Sequence, residues 1–160
     1  MRLTVYTDFS FRVLMFLALK GDGLATIAEI AKAYGISKNH LMKVAHQLGV
    51  AGYVETVRGK GGGLRLARRP QDIVIGEVVR RTEPDMALVP CFAPDDASCV
   101  IIPSCALRGA LSKARDAFLS ALDEHTLADL VRPRAPLRKL LSLHPSGRAA
   151  AQISRSARQA

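Results

Sequence analysis

The sequence predicts a mainly α-helical chain with one small β-hairpin, and three observations carry that reading. Two short helical segments open at Thr26 and Ser37, each behind a capping residue, with Gly35 in the turn between them. A basic, glycine-rich loop, Arg58-Gly59-Lys60-Gly61-Gly62-Gly63, comes directly after them, between two apolar strand-like runs. Further on, Leu107, Leu111, Ala114, Phe118 and Ala121 repeat at a 4-3-4-3 spacing. Together these predict a winged helix-turn-helix joined to a long dimerisation helix.

Thr7 is expected to cap a first helix running to about Lys20, with Phe9, Val13, Phe16 and Leu17 on one face and Gly21-Asp22-Gly23 ending it. Thr26 and Glu29 form a capping box that opens the second helix, holding Ile27, Ile30 and Ala31. Ser37 caps the third, which carries Leu41, Val44, Ala45 and Leu48 and ends at Gly49 or Gly52. Strands are expected over 53–57 and 64–67, and a fourth helix over 73–81 with Ile75, Val78 and Val79 inward. Pro84, Pro90, Pro94 and Pro103 break up the next stretch, before the long helix runs from Ser104 to about Glu124. Its apolar residues form a narrow seam, which calls for a partner helix; no other segment is long enough, so a homodimer is expected. Thr126 opens a last short helix with Leu127 and Leu130. The expected organisation is a DNA-binding unit over 1–70, a cysteine loop and dimerisation helix over 71–131, and a basic tail over 132–160 that buries little and is disordered.

Composition narrows the function. The 160 residues include 49% hydrophobic but only 5% aromatic side chains and no Trp, which suits a helical core. No run of about 18 apolar residues is available to span a membrane, and the N-terminal stretch lacks a cleavage site, so a cytoplasmic location is expected. An odd count of three cysteines argues against a secreted disulfide scaffold. The net charge of +9 is unevenly divided: +7 over 1–70, −5 over 71–131 and +7 over 132–160. A basic N-terminal third points to a polyanion partner. No Ser/His/Asp set, paired-carboxylate pattern or nucleotide-binding fingerprint stands out, so an enzyme is not expected. The glycine-rich loop lacks the Gly-Lys-Ser/Thr step and succeeding helix of a phosphate cradle.

Two constellations remain. On the third helix, Asn39, Lys43 and His46 oppose the apolar face, with Ser37, Lys38 and His40 at its start. That is where a recognition helix meets base edges, with Asn suited to adenine and Lys to guanine or phosphate. Arg58, Lys60 and Arg65 place cations on the adjacent wing. The second constellation is Cys91-x7-Cys99-x5-Cys105, all within 15 residues and among apolar neighbours. Its spacing is too open for the usual zinc hook. Thiolates so placed suit an iron–sulfur cluster, the plainer alternative being three redox-labile thiols. Asp95 and Asp96 are within reach as oxygen ligands or form a solvated face.

Several stretches carry a family likeness: Thr7-Asp8-Phe9-Ser10, Ile36-Ser37-Lys38-Asn39-His40-Leu41-Met42-Lys43-Val44, Arg58-Gly59-Lys60-Gly61-Gly62-Gly63-Leu64 and Ile75-Gly76-Glu77-Val78-Val79-Arg80. Over about residues 1–131 the chain resembles the NsrR-type nitric-oxide-sensing repressors, a branch of the winged-helix iron–sulfur regulators that include IscR. Asn39-His40 with Met42-Lys43-Val44, and Leu127-Ala128-Asp129-Leu130, point to the NsrR branch. The resemblance implies a homodimer binding an inverted-repeat operator in double-stranded DNA. It implies a cluster on Cys91, Cys99 and Cys105, [4Fe-4S] favoured over [2Fe-2S], with Asp8 of the other subunit as fourth ligand, and release of DNA when nitric oxide attacks the cluster. Asp8 as a helix-capping residue is the alternative. The competing functions are an IscR-like regulator answering to cluster supply and a small iron–sulfur redox protein.

Overall fold

The computed structural model describes residues 2–93 and 99–143. Its first helix, α1 (Val5–Lys20), is apolar on more than one face, and eight of its 16 residues are buried. A helix of that kind is stable only when it is wrapped on several sides. Phe16 and Leu17 are buried as expected, and Leu14 and Leu19 on other faces are fully enclosed as well, whereas Phe9 is only half-buried. Thr4, not Thr7, is the cap: its hydroxyl accepts the Thr7 N–H at 3.2 Å, while Thr7 itself is buried. Gly21 ends the helix at φ 70°, where a side chain would be strained.

The helix-turn-helix comes next. Thr26 and Glu29 make the expected reciprocal cap of α2 (Ile27–Tyr34), and Gly35 closes it in the left-handed region. Ser37 stands at the head of α3 (Lys38–Val50) but makes no side-chain capping bond. Leu41, Val44, Ala45 and Leu48 are buried as the spacing predicts. Gly52 (φ 74°) takes the turn into the hairpin.

Strands β1 (Val54–Val57) and β2 (Gly63–Leu66) pair antiparallel, with Val54 opposite Leu66 and Val57 opposite Gly63. Ala25 adds a one-residue third strand, exchanging both backbone bonds with Leu64 at 3.0 and 2.8 Å. The wing glycines have an internal reason to be glycine. A Cβ on Gly62 would lie 2.2 Å from the Val57 carbonyl oxygen, and one on Gly63 would lie 2.8 Å from that of Ala25.

The fourth helix, α4 (Ile75–Thr82), starts two residues later than expected. Ile73 and Val74 are taken up in a backbone ladder instead: Ile75 N–H donates to His125 O, and Leu127 N–H donates to Ile73 O. Single 3-10 turns at Pro90–Phe92 and Ile102–Ser104 interrupt the proline-rich stretch. The long helix, α5 (Ala106–Asp123), crosses α4 closely enough that a Cβ on Gly76 would meet the Asp123 carboxylate. Arg80 grips that carboxylate through two bonds of 2.7 and 2.6 Å, which holds Asp123 below the usual carboxylate range. No residue of α5 is fully buried; Leu107 at the head of the seam is 64% exposed and Leu111 and Phe118 are half-buried, so among the described residues the seam is only partly covered.

Thr126 caps α6 (Leu127–Leu130), whose Leu127 is fully buried against α1. The expectation of disorder beyond Arg132 fails for the first part of the tail, although none of the described residues there is fully buried. A further helix, α7 (Arg134–Leu140), docks on α1: Arg134 donates to the Ala18 carbonyl at 2.7 Å and Arg138 to that of Leu19. Leu137, Leu141 and Leu143 pack on the same core. Three leucines and two inward-turned arginines outweigh the proline content and the lack of acids that suggested disorder. Residues 144–160 lie outside the described residues.

The burial pattern yields a stability test. Leu14→Ala empties a fully enclosed site and is expected to cost about 2–5 kcal/mol. Leu140→Ala, at a position 78% exposed, should stay within about 0.5 kcal/mol. Urea denaturation at one fixed protein concentration measures both.

Candidate nucleic-acid interface and cysteine loop

The proposed contact face of α3 is solvent-facing throughout: Ser37, Lys38, Asn39, His40, Lys43 and His46 are all exposed. Burial of Leu41, Val44 and Leu48 fixes the helix rotation, so these polar residues point outward with no choice of face. Lys38 and Lys43 make no ion pair or hydrogen bond among the described residues. His40 leans on α1, its ring 6.1 Å from that of Phe9 at a 35° tilt. On the wing, Arg58 and Lys60 are exposed and likewise unpaired, whereas Arg65 is bonded across the hairpin to Glu55. Sequence alone puts all three wing cations on an equal footing. Strand register, invisible at that level, places Arg65 opposite Glu55 and commits its charge.

Asp8 lies in the first turn of α1, exposed, and forms an ion pair with Arg12 one turn on, at 2.8 and 3.1 Å. It is not the helix cap, which is Thr4. The Arg12 guanidinium is bracketed by the rings of Phe9 and Tyr34, at 5.9 and 5.8 Å from their centroids. Burial pushes the Tyr34 hydroxyl above its ordinary value, with the Arg12 charge opposing. The chain Asp8, Arg12, Phe9, His40 thus runs by direct contact from the start of α1 to the start of α3.

The same end of α1 is clamped from α4, in a way that sequence reading missed. Glu83 accepts the Thr4 N–H at 2.9 Å and the Thr4 hydroxyl at 3.1 Å, and it also touches the Thr7 hydroxyl. Thr7 lies within 2.9 Å of Thr82 as well. A carboxylate at a helix N-terminus satisfies orphan donors and complements the dipole. Its partner comes from 79 residues along the chain, so no local pattern advertises it. The clamp sits where the chain leaves α4 for the cysteines.

All three thiols are free; Cys91 and Cys105 are half-buried and Cys99 is exposed. Cys105 stands at the head of α5, and its sulfur accepts the Arg108 N–H at 3.4 Å. Phe92, next to Cys91, packs under the guanidinium groups of Arg108 and Arg115, at 5.9 and 5.2 Å, which ties the start of the loop to α5. Among the described residues no three His, Cys, Asp or Glu side chains are gathered to hold a metal ion. Asp95 and Asp96, with Pro94, lie outside the described residues. Three free thiols are ligands of the type an iron–sulfur cluster takes, and they number three of the four such a cluster uses.

A capped helix pair, an outward-facing polar helix and a glycine-built wing define a winged-helix transcriptional regulator. The chain belongs to the Rrf2 family, described as an iron-dependent transcriptional regulator, whose profile matches residues 3–133. It is 54% identical over 144 residues to the HTH-type transcriptional regulator NsrR of Bacillus subtilis (strain 168), covering 89% of this chain and 99% of that one. It is 53% identical over 142 residues to the regulator of the same name from Geobacillus kaustophilus (strain HTA426), covering 88% and 97%. Among solved structures it resembles CymR (YrzC), the global cysteine regulator of B. subtilis, at TM-score 0.66 and 27% identity over 81% of this chain and 95% of that one. It also resembles T. potens IscR, at TM-score 0.66 and 25% identity over 86% and 91%. The expected winged-helix fold and the likeness to the NsrR branch are both borne out. No helix among the described residues is long and apolar enough to cross a membrane.

The clamp makes a prediction of its own. Glu83→Ala removes a charged acceptor shared by Thr4 and Thr7 and should lower stability by about 1.5–3 kcal/mol, read by thermal denaturation. Glu83→Gln, which keeps one acceptor oxygen, should lose less.

Proposed function

We propose that this chain is a cytoplasmic, homodimeric transcriptional repressor that binds an inverted-repeat operator and releases it in response to nitric oxide. The observation that carries the reading is the pairing of more than half identity to regulators named NsrR with a free three-cysteine loop beside a winged helix. In this reading residues 1–70 contact DNA, and 71–131 hold the cluster loop and the dimer helix. Asn39 and Lys43 read base edges, with Ser37, Lys38 and His40 around them, while Arg58 and Lys60 of the wing contact phosphates and Arg65 holds the hairpin to Glu55. The partly exposed seam of α5 pairs with its copy in the second subunit.

Cys91, Cys99 and Cys105 would hold the iron–sulfur cluster, [4Fe-4S] in preference to [2Fe-2S], with the partner subunit's Asp8 as fourth ligand. Such a cluster supplies an iron held by a weak oxygen ligand, open to attack by a small diatomic molecule. The protein's part is positional. Asp8 has two alternative partners, Arg12 in its own helix or the cluster of the other subunit. Arg12 in turn touches Phe9 and Tyr34, and Phe9 touches His40. A change of partner at Asp8 therefore bears on the first turn of the recognition helix. The Glu83 clamp fixes the end of α1 against α4, so that the change is not absorbed by fraying.

Two experiments test this. Anaerobically purified protein should be coloured, and Cys→Ala at Cys91, Cys99 or Cys105 should bleach it; a colourless protein holding one tight zinc would defeat the cluster reading. The dimer should bind half-sites about 34–36 Å apart. Asn39→Ala and Lys43→Ala should each cost about 1–3 kcal/mol of operator affinity with altered base preference, whereas Lys60→Ala, which removes one lysine from each subunit, should weaken binding evenly and reduce the salt slope by up to about 2. Full operator affinity in both α3 variants would remove α3 from the interface.

A further inference from the structure

Leu41, Val44, Ala45 and Leu48 close the inner face of α3, and the opposite side is polar with one interruption. Met42 stands 52% exposed among Lys38, Asn39, Lys43 and His46. It follows Lys38 by four residues and Asn39 by three, and precedes His46 by four. At about 100° per residue it therefore lies within about 60° of each of those three around the helix. Single exposed apolar residues are ordinary on a protein surface. This one is on the second turn of the helix that the proposed function puts in the major groove, near the end that meets base edges. Val50, also exposed, is at the opposite end of α3 and lines a cleft with Tyr6 and Arg81.

Neither the core nor the helix calls for methionine at 42. The residue stands outside the buried stripe, and Lys, Gln and Glu form helix about as readily. What methionine offers is an unbranched, polarizable side chain with three rotatable bonds, which adapts to an apolar group on a partner. In the major groove the apolar group on display is the C5-methyl of thymine. Three residues of helix advance about 4.5 Å, against about 3.4 Å per base-pair step, so Met42 falls roughly one base pair from whatever Asn39 meets.

We propose that Met42 is a specificity residue of the operator interface, packing on the C5-methyl group of a thymine next to the base pair that Asn39 meets. The proposal rests on α3 lying in the major groove under the proposed function, and not on the cluster or its signal. Burying one methyl group is worth about fourfold in affinity, and the two half-sites of a dimer compound it to roughly 15-fold.

The test uses the full chain, purified anaerobically as the dimer, and an operator that the wild type selects from random duplexes. Each thymine of a half-site is replaced in turn by deoxyuridine, at the symmetric positions of both half-sites. Deoxyuridine keeps the Watson–Crick edge and lacks only the C5-methyl group. One such replacement should weaken wild-type binding roughly 15-fold. Met42→Ala should melt with the wild type, bind the unmodified operator more weakly by a similar factor, and show no penalty for uracil at that position. Met42→Leu, which stays apolar, should keep a penalty there. A wild type indifferent to uracil at every thymine would overturn the proposal, as would a selected half-site without thymine. A uracil penalty of equal size in Met42→Ala would also overturn it. If Asn39→Ala still loses affinity in those cases, the α3 interface stands and the role of Met42 alone falls. Full operator affinity in both Asn39→Ala and Lys43→Ala would instead remove α3 from the interface, and this proposal with it.

Discussion

The structure depends on burying one helix. α1 is apolar on several faces, and its Val13, Leu14 and Leu19 are fully enclosed, so the rest of the fold is a set of ways to cover it. α2 and α3 cover it from the helix-turn-helix, β2 from the wing, α4 from the next segment, and α6 and α7 from the far end of the chain. Each end of α1 is also gripped electrostatically. Glu83 accepts from the Thr4 N–H and hydroxyl at its start, and Arg134 and Arg138 donate to Ala18 and Leu19 at its finish. Negative charge at the first turn and positive charge at the last is the arrangement a helix dipole favours.

That constraint gives the proposed switch its leverage. Under the proposed function, a helix held at both ends and packed along its length would pass a displacement of its first turn on to its neighbours. Asp8 sits on that first turn, and the bracketed Arg12 links it to the aromatic contact at His40. On the other side, the same Glu83 that clamps α1 belongs to the segment leading to Cys91. The segment leading to the cysteine loop and the start of the recognition helix therefore both contact α1, which under the proposed function is the element that would link them.

Local grammar was the legible part of the sequence. Thr26 with Glu29, Gly35, the apolar spacing of α3 and the glycine-rich wing each obey short-range rules, and each appears where those rules place it. The expectations that failed depend on distant partners. Thr4 rather than Thr7 caps α1 because Glu83 arrives from another helix. α4 begins late because Val74 pairs with Thr126 across the fold. α7 looks too rich in proline and arginine to order itself, yet the exposed carbonyl end of α1 gives those arginines acceptors. At the site, the exposure of Asn39 and Lys43 comes from helix periodicity, whereas the commitment of Arg65 to Glu55 required the strand register.

The most direct measurement is operator affinity of the anaerobically purified, cluster-bearing dimer before and after stoichiometric nitric oxide, with oxygen excluded. Coupling through α1 of the usual size for linked sites predicts a loss on the order of 10²-fold, about 2.7 kcal/mol, in step with loss of the cluster spectrum. Unchanged affinity while that spectrum disappears would contradict the proposed link between the cysteine loop and the recognition helix.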